Sequence, residues 1–198
     1  MRVAAEAFAE IGLRQVTMEQ VAERAGASKV VLYRYFGSKD NLINAVLQGV
    51  VDKVLAADSD DNLGIIERVT GNLKVARENK HAFNLLLRHT AHDPVFGVHY
   101  HRLHTTLVHR ALARQREALD RLFNGNEPTL FSRQFLSETA VGLLYDGFLR
   151  WLDEGDEAND DAFIDWITRS IAALTFYWAG VEPPGGCLPS GPICRKKD

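Results

Sequence analysis

The stretch TMEQVAERAGASKVVLYRYFGSKDNL, residues Thr17–Leu42, contains closely spaced signals for helix starts and helix ends. Three hydroxyl residues stand where a side chain can accept a hydrogen bond from the first turn of a helix: Thr17, Ser28 and Ser38. Gln20 follows Thr17 at the spacing of a capping box. Gly26 and Gly37 suit helix ends, where a left-handed residue is common. The stretch therefore predicts two short helices joined by a tight turn, followed by a third, longer helix.

Composition narrows the class of protein. Hydrophobic residues make up 46% of the 198 residues, which supports a substantial core. No run of about 20 apolar residues occurs, and the first residues lack the apolar block of a secretory signal, so we expect a cytoplasmic protein that does not span a membrane. The only cysteines, Cys187 and Cys194, lie in the last residues, which excludes a disulfide framework.

Charge is distributed unevenly along the chain. The formal net charge is -3, yet the segment from Ala27 to Lys39 holds three basic residues and no acidic one. A small basic segment in an acidic protein indicates a local contact with a polyanion.

Residues typical of helix starts and helix ends recur through the rest of the chain. A first helix is predicted from Arg2 to Ile11, before Gly12, and a fourth from Lys39 to about Leu55. Five further helices are predicted over Leu63–Glu78, His81–His89, Val98–Phe123, Leu130–Leu152 and Asp160–Val181. The expected fold is all-α, with about nine helices. The prolines and glycines of residues 182–198 predict a disordered tail.

The helix that follows Ser28 has two distinct faces. Leu32 and Phe36, four residues apart, share the face expected to pack against the preceding helices. The remaining positions combine cations, tyrosines and valines: Lys29, Val30, Val31, Tyr33, Arg34 and Tyr35. Cations and tyrosine hydroxyls can reach phosphates, and valines can contact thymine methyl groups. The three-helix arrangement predicts a helix-turn-helix that reads the major groove of DNA.

The segment FAEIGLRQVTMEQVAERAGASKVVLYRYFGSKDNL, within a match from about Ala5 to Leu47, resembles the N-terminal DNA-binding domain of the TetR family of transcriptional repressors. The resemblance implies phosphate contacts by Thr17, Tyr35 and Lys39, and a base or phosphate contact by Tyr33. Lys29, Val30 and Val31 would open the recognition helix. The family often has glycine and a small or hydroxyl residue where this chain has the two valines.

The same resemblance implies the organisation of the whole chain. Residues 1–47 would form the DNA-binding domain and residues 48–181 a helical domain for effector binding and dimerisation. The protein would be a regulator without enzymatic activity or a cofactor, and a repressor. A homodimer formed through the last two long helices would bind a palindromic operator until a small, largely apolar effector released it.

Candidate effector contacts come from large apolar residues of the middle helices. They are Phe83, Leu87, Phe96, Tyr100, Leu103, Leu107, Phe135, Tyr145 and Trp151. Pockets and cores share this composition, so each of these residues also suits the core.

Two alternatives stay open at the level of sequence. All seven histidines lie between His81 and His109, and His101 and His104 could share a helix face, so a metal-responsive regulator is one alternative. No cysteine lies near these histidines, and Asp93 is the only carboxylate among them. An all-helical enzyme is the other alternative, although the chain lacks a phosphate loop and a nucleophile motif.

Overall fold

A computed structural model of the chain describes residues 1–123 and 132–179. These residues form nine α-helices and no strand, which confirms the predicted all-α fold. The helices are α1 Arg2–Ile11, α2 Met18–Arg24, α3 Lys29–Phe36, α4 Lys39–Ala57, α5 Ile65–Glu78, α6 Lys80–His89, α7 Gly97–Leu122, α8 Arg133–Glu154 and α9 Asp160–Trp178. The predicted tail at 182–198 lies outside the described residues, as do Leu130 and Val181, the predicted ends of two helices.

The predicted caps are present at the starts of α2, α3 and α4. The hydroxyls of Thr17, Ser28 and Ser38 each accept a hydrogen bond from the first turn of the helix that follows. Gly26 and Gly37 have φ angles of 60° and 73°, a region that favours glycine because other residues are strained there. The capping residues and the two glycines thus set the lengths of α2 and α3.

One continuous core joins the N-terminal helices to the rest of the chain. It includes Phe8 of α1, Leu47 and Val54 of α4, and Phe83 of α6, all of them fully buried. Helix α1 packs against α6, and α4 packs against α5, α6 and α7. The predicted domain boundary after residue 47 therefore falls inside α4, which belongs to both domains.

Helices α8 and α9 pack on each other and on α5. The resemblance implies a homodimer interface on these two helices, but Leu136, Phe148 and Ile167 are buried within the single chain and are not available to a partner. The helical spacing of apolar residues is the same for a core-facing helix and for a dimer interface. Other apolar residues of α8 and α9 remain exposed, including Leu143 and Trp166.

Among the described residues, no helix combines the length and the apolarity that a membrane span requires.

Candidate functional site

The first candidate site is the outer face of α3. Leu32 is buried and Phe36 is half-buried against the core, so these two side chains anchor the helix as predicted. The opposite face is open to solvent. Val30 is 75% exposed and Tyr35 is 79% exposed, which is unusual for an apolar and an aromatic side chain on a helix that could have buried them.

Most of the predicted DNA-contacting residues are exposed to solvent. Those exposed are Thr17, Lys29, Val30, Val31, Tyr33, Arg34 and Tyr35. Thr17 caps α2 through its hydroxyl, which accepts from the backbone N–H of Gln20 at 3.2 Å. The backbone N–H of Thr17 in turn donates to Gln20 Oε1 at 2.8 Å, which completes the predicted capping box.

The ammonium of Lys29 is already occupied in the free protein. It forms an ion pair with Glu19 of α2 and lies 5.6 Å from the centre of the Tyr33 ring. Arg34, by contrast, has no ion pair or hydrogen bond with any residue in the described part of the chain. The sequence predicted a DNA contact for Lys29 but did not reveal that Glu19 would compete with DNA for its ammonium group.

Lys39 differs from the other predicted contacts because its side chain is half-buried. Its Nζ donates to the backbone carbonyls of Arg14 at 2.9 Å and Val16 at 3.2 Å. These bonds tie the start of α4 to the loop between α1 and α2. The side chain therefore has a structural role that the sequence did not reveal, beside the predicted contact with phosphate.

The second candidate site is a cavity of about 180 Å³ between α6, α7 and α8. Five of the predicted effector contacts line it: Leu87, Tyr100, Leu103, Leu107 and Tyr145. Five residues that the sequence analysis did not select complete the lining: His104, Val141, Gly142, Asp146 and Leu149. The walls are mainly apolar, which suits a small apolar ligand.

The other four predicted effector contacts do not line this cavity. Phe83 is fully buried behind Tyr145, with ring centres 5.8 Å apart, and Phe96 is buried at the start of α7. Phe135 stacks on Trp178, and Trp151 stacks on Phe163 at 4.7 Å. Helical spacing alone does not show which of the buried side chains of a helix border a cavity and which pack against other side chains.

The histidines are dispersed. In residues 1–123 and 132–179, no three histidine, cysteine or acidic side chains lie close enough together to bind a metal ion. His101 is exposed, while His104 stacks on Tyr100 beside the cavity. His99 is buried, and its Nε2 donates to Asn44 Oδ1 at 2.8 Å. Burial lowers the pKa of His99, and the nearby Arg102 lowers it further.

Residues 1–46 match the profile described as "Bacterial regulatory proteins, tetR family". Among curated proteins, the chain is 45% identical over 53 residues to the HTH-type transcriptional activator FasR of Mycolicibacterium smegmatis, covering 27% of this chain and 24% of that protein. It is 37% identical over 60 residues to the HTH-type transcriptional repressor KstR2 of Mycobacterium tuberculosis, covering 30% of each. The chain thus spans about a quarter to a third of these relatives' length.

The similarity in fold extends much further along the chain. The crystal structure of a TetR-like transcriptional regulator from Rhodococcus sp. RHA1 superposes with a TM-score of 0.67 at 19% identity, over 88% of this chain and 90% of the other. At that identity the superposition establishes the shared helical fold alone, whereas the family profile matches residues 1–46.

Proposed function

We propose that this chain is a DNA-binding transcriptional regulator that acts as a repressor, because residues 1–46 match the profile of the bacterial tetR regulators. The observation that carries the proposal is the exposed outer face of α3, where apolar, aromatic and cationic side chains are left open to solvent. Its site of action would be the cytoplasm, where bacterial DNA lies.

The arrangement of side chains on α3 supports separate contacts with the bases and with the phosphates of the duplex. With α3 in the major groove, Val30 and Val31 near its N-terminus would face base edges and contact thymine methyl groups. Arg34 and the hydroxyl of Tyr35 would reach phosphates on the groove edge, and the N-terminus of α2 at Thr17 would reach another phosphate. The valine pair would therefore set the sequence preference, and the polar groups the affinity.

A homodimer would supply the second half-site. A single short helix reads only a few base pairs, and each mismatch costs about 1–3 kcal/mol, so one half-site discriminates too weakly against a genome. Leu143 on α8 and Trp166 on α9 are exposed apolar residues on the two helices predicted to dimerise. Trp166 is 59% exposed, and it borders an open groove with Gly147 and Phe163. These residues support a dimer interface on α8 and α9.

The cavity would receive the effector, and two contacts connect its walls to the DNA-binding domain. At the start of α7, Asp93 accepts hydrogen bonds from the backbone N–H groups of Val95 and Phe96, and it also pairs with Arg14 at 3.0 Å. Arg14 lies between α1 and α2. Further along α7, His99 bonds Asn44 of α4. A ligand that displaces α7 would thereby change the orientation of α3.

The DNA-binding proposal is tested by selecting operators from a pool of random duplexes with the purified full chain. Fluorescence anisotropy then measures affinity for the selected duplex at several salt concentrations. We expect a palindromic consensus, and a Val30→Gly variant that selects a different consensus at similar overall affinity. Arg34→Gln should weaken binding to all duplexes and reduce the salt slope by about one.

Arg116→Gln, which changes an exposed arginine of α7 outside the helices assigned to the dimer, serves as the matched control and should bind like the parent. A pool that yields no enriched sequence at low or moderate salt contradicts the proposal. Equal losses of affinity in Arg34→Gln and Arg116→Gln would show that α3 does not contact the DNA.

A further inference from the structure

We propose that the effector is an amphipathic monocarboxylate whose charged end binds a partly buried arginine cluster, Arg68, Arg110 and Arg114, between α5, α7 and α8. The inference rests on the proposed function, because it specifies the ligand of the effector cavity. A second, smaller cavity of about 80 Å³ adjoins the first. Leu107, Val141 and Tyr145 line both cavities, so a ligand that displaces these side chains slightly could extend from one into the other.

The smaller cavity has a polar end. Asp58 lies at the end of α4 and is buried, and Arg68 of α5 and Arg114 of α7 line the cavity beside it. Asp58 accepts hydrogen bonds from Arg114 at 2.9 Å and from Arg110 at 3.3 Å. Arg114 also binds Asp61 at 2.8 Å. Three guanidinium groups thus meet two carboxylates, which leaves one positive charge in excess.

Arg68 has the longest ion-pair distance to Asp58 of the three arginines. Its Nε lies 3.9 Å from the Asp58 carboxylate, beyond hydrogen-bond distance, and its Nη1 donates to the backbone carbonyl of Leu63. Its side chain is nevertheless largely shielded from water. Asp58 is thus shared among Arg68, Arg110 and Arg114, and a ligand carboxylate would give the shielded Arg68 cation an anion of its own.

Two neutral polar groups at the same cavity also lack partners. The Tyr145 hydroxyl and Asn72 Oδ1 make no hydrogen bond within the described residues, although Tyr145 is only 7% exposed and Asn72 only 3%. Buried polar atoms are nearly always paired, so these two indicate a missing hydrogen-bonding group. Tyr145 could donate to a carboxylate, and so could Asn72 once its amide is rotated.

Charge also fixes the orientation of the ligand. The lining of the apolar cavity contains no arginine or lysine, and its acidic residue, Asp146, pairs with Arg150 at 3.0 Å. The smaller cavity, in contrast, has Arg68 and Arg114 beside Asp58. Asn72 and Arg68 lie four residues apart on α5 and so share a helix face. The carboxylate would therefore lie against α5, and the hydrocarbon would extend between α6, α7 and α8.

The test uses octanoate, octanol and octylamine as probes of the full chain, by isothermal titration calorimetry at pH 7.5. We expect octanoate to bind and the other two probes to bind at least about tenfold more weakly, as one charge-assisted hydrogen bond predicts. Tyr145→Phe should weaken octanoate binding by a similar factor. Because the hydroxyl makes no bond in the free protein, the same variant should melt at the parent temperature or higher. Arg68→Gln should abolish the preference for octanoate over octanol.

Tyr177→Phe and Arg169→Gln change exposed residues of α9 and are the matched controls, expected to bind octanoate like the parent. The proposal is overturned if octanoate does not bind at millimolar concentration, if octanol binds as tightly, or if Tyr145→Phe and Arg68→Gln leave octanoate affinity unchanged. Operator affinity of the ligand-free protein is measured on the same preparations. Loss of one activity without the other therefore distinguishes a failure of this inference from a failure of the DNA-binding proposal.

Discussion

Glu19 and Lys29 form an ion pair on the exposed surface that we assign to DNA. When α3 meets a phosphate, the lysine must exchange a carboxylate for the nucleic acid, and the freed carboxylate then repels the duplex. We therefore expect the pair to lower affinity for DNA of any sequence. A term common to all sequences cancels in the difference between two duplexes, so the pair would set overall affinity and leave sequence preference unchanged.

A Glu19→Gln variant should bind both specific and random duplexes more tightly, because one acidic group is removed and Lys29 is released. The magnitude of the salt slope should rise by about one. Anisotropy titrations at several salt concentrations measure this effect, with Glu117→Gln on the exposed part of α7 as the control. An unchanged or weaker affinity for random DNA would show that the pair does not oppose binding.

Lys39 allows a distinction between a structural and a DNA-binding role. Lys39→Met removes the two hydrogen bonds to the loop between α1 and α2. The free energy of unfolding should fall by about 1–2 kcal/mol, as for loss of partly exposed charge-assisted bonds. Urea denaturation of the DNA-free protein measures the loss. If stability is unchanged while DNA affinity falls, phosphate contact is the only role of this side chain.

At the scale of helices, the accuracy of sequence reasoning follows the range of the interactions involved. The caps of α2, α3 and α4 are local, so Thr17, Ser28 and Ser38 could be assigned from spacing. Lys39 was harder to interpret, because its partners lie on another loop. The arginine cluster was missed for the same reason, since α5 and α7 meet at Asp58 only in the folded chain.

The cavity shows a second limit. Tyr100 and Leu103 line it, whereas Phe83 and Phe96 are buried elsewhere, although all four are large and apolar. A helix buries a wide face against several neighbours, and which part of that face meets a gap depends on the packing of all of them.

The contact between α4 and α7 should make stability depend on pH. His99 faces Asn44, Asp52 and Arg102, and burial is the main reason that its pKa is lowered. The folded chain then binds a proton less readily than the unfolded chain, whose histidine has a pKa near 6.5. Stability from this residue is fully present above that value and is lost as pH falls below it.

Thermal unfolding between pH 7.5 and 5.5 measures the effect. The parent should lose stability toward pH 5.5, and a His99→Gln variant, which keeps a donor for Asn44 but cannot titrate, should lose less. A His81→Gln variant is the control for the removal of a histidine outside this contact. Identical pH dependence in the parent and His99→Gln would contradict the assignment.

At the scale of the whole molecule, two-fold assembly would place two copies of α3 on one face. Trp166→Glu introduces a charge into the apolar surface on α9 that we propose as part of the dimer interface. We expect sedimentation velocity to show monomers where the parent forms dimers, and operator affinity to fall by at least about tenfold because the half-sites are no longer linked. Arg116→Glu, on the exposed part of α7 and outside the proposed interface, is the control. A dimeric Trp166→Glu variant would place the interface elsewhere.

Helix α4 begins beside the DNA-binding face and ends at Ala57, next to Asp58 of the arginine cluster. Its 19 residues make a rod about 28 Å long. If α4 rotates as a rigid body by about 5° about its C-terminal end at the cluster, its N-terminal end moves by about 2.5 Å, from simple geometry on that length. In a symmetric dimer the distance between the two α3 helices would change by roughly twice as much. That change exceeds the 3.4 Å rise of one base pair along the duplex. A ligand carboxylate that neutralises one charge of the arginine cluster would thus change the distance between the two α3 helices so that it no longer matches the spacing of the half-sites.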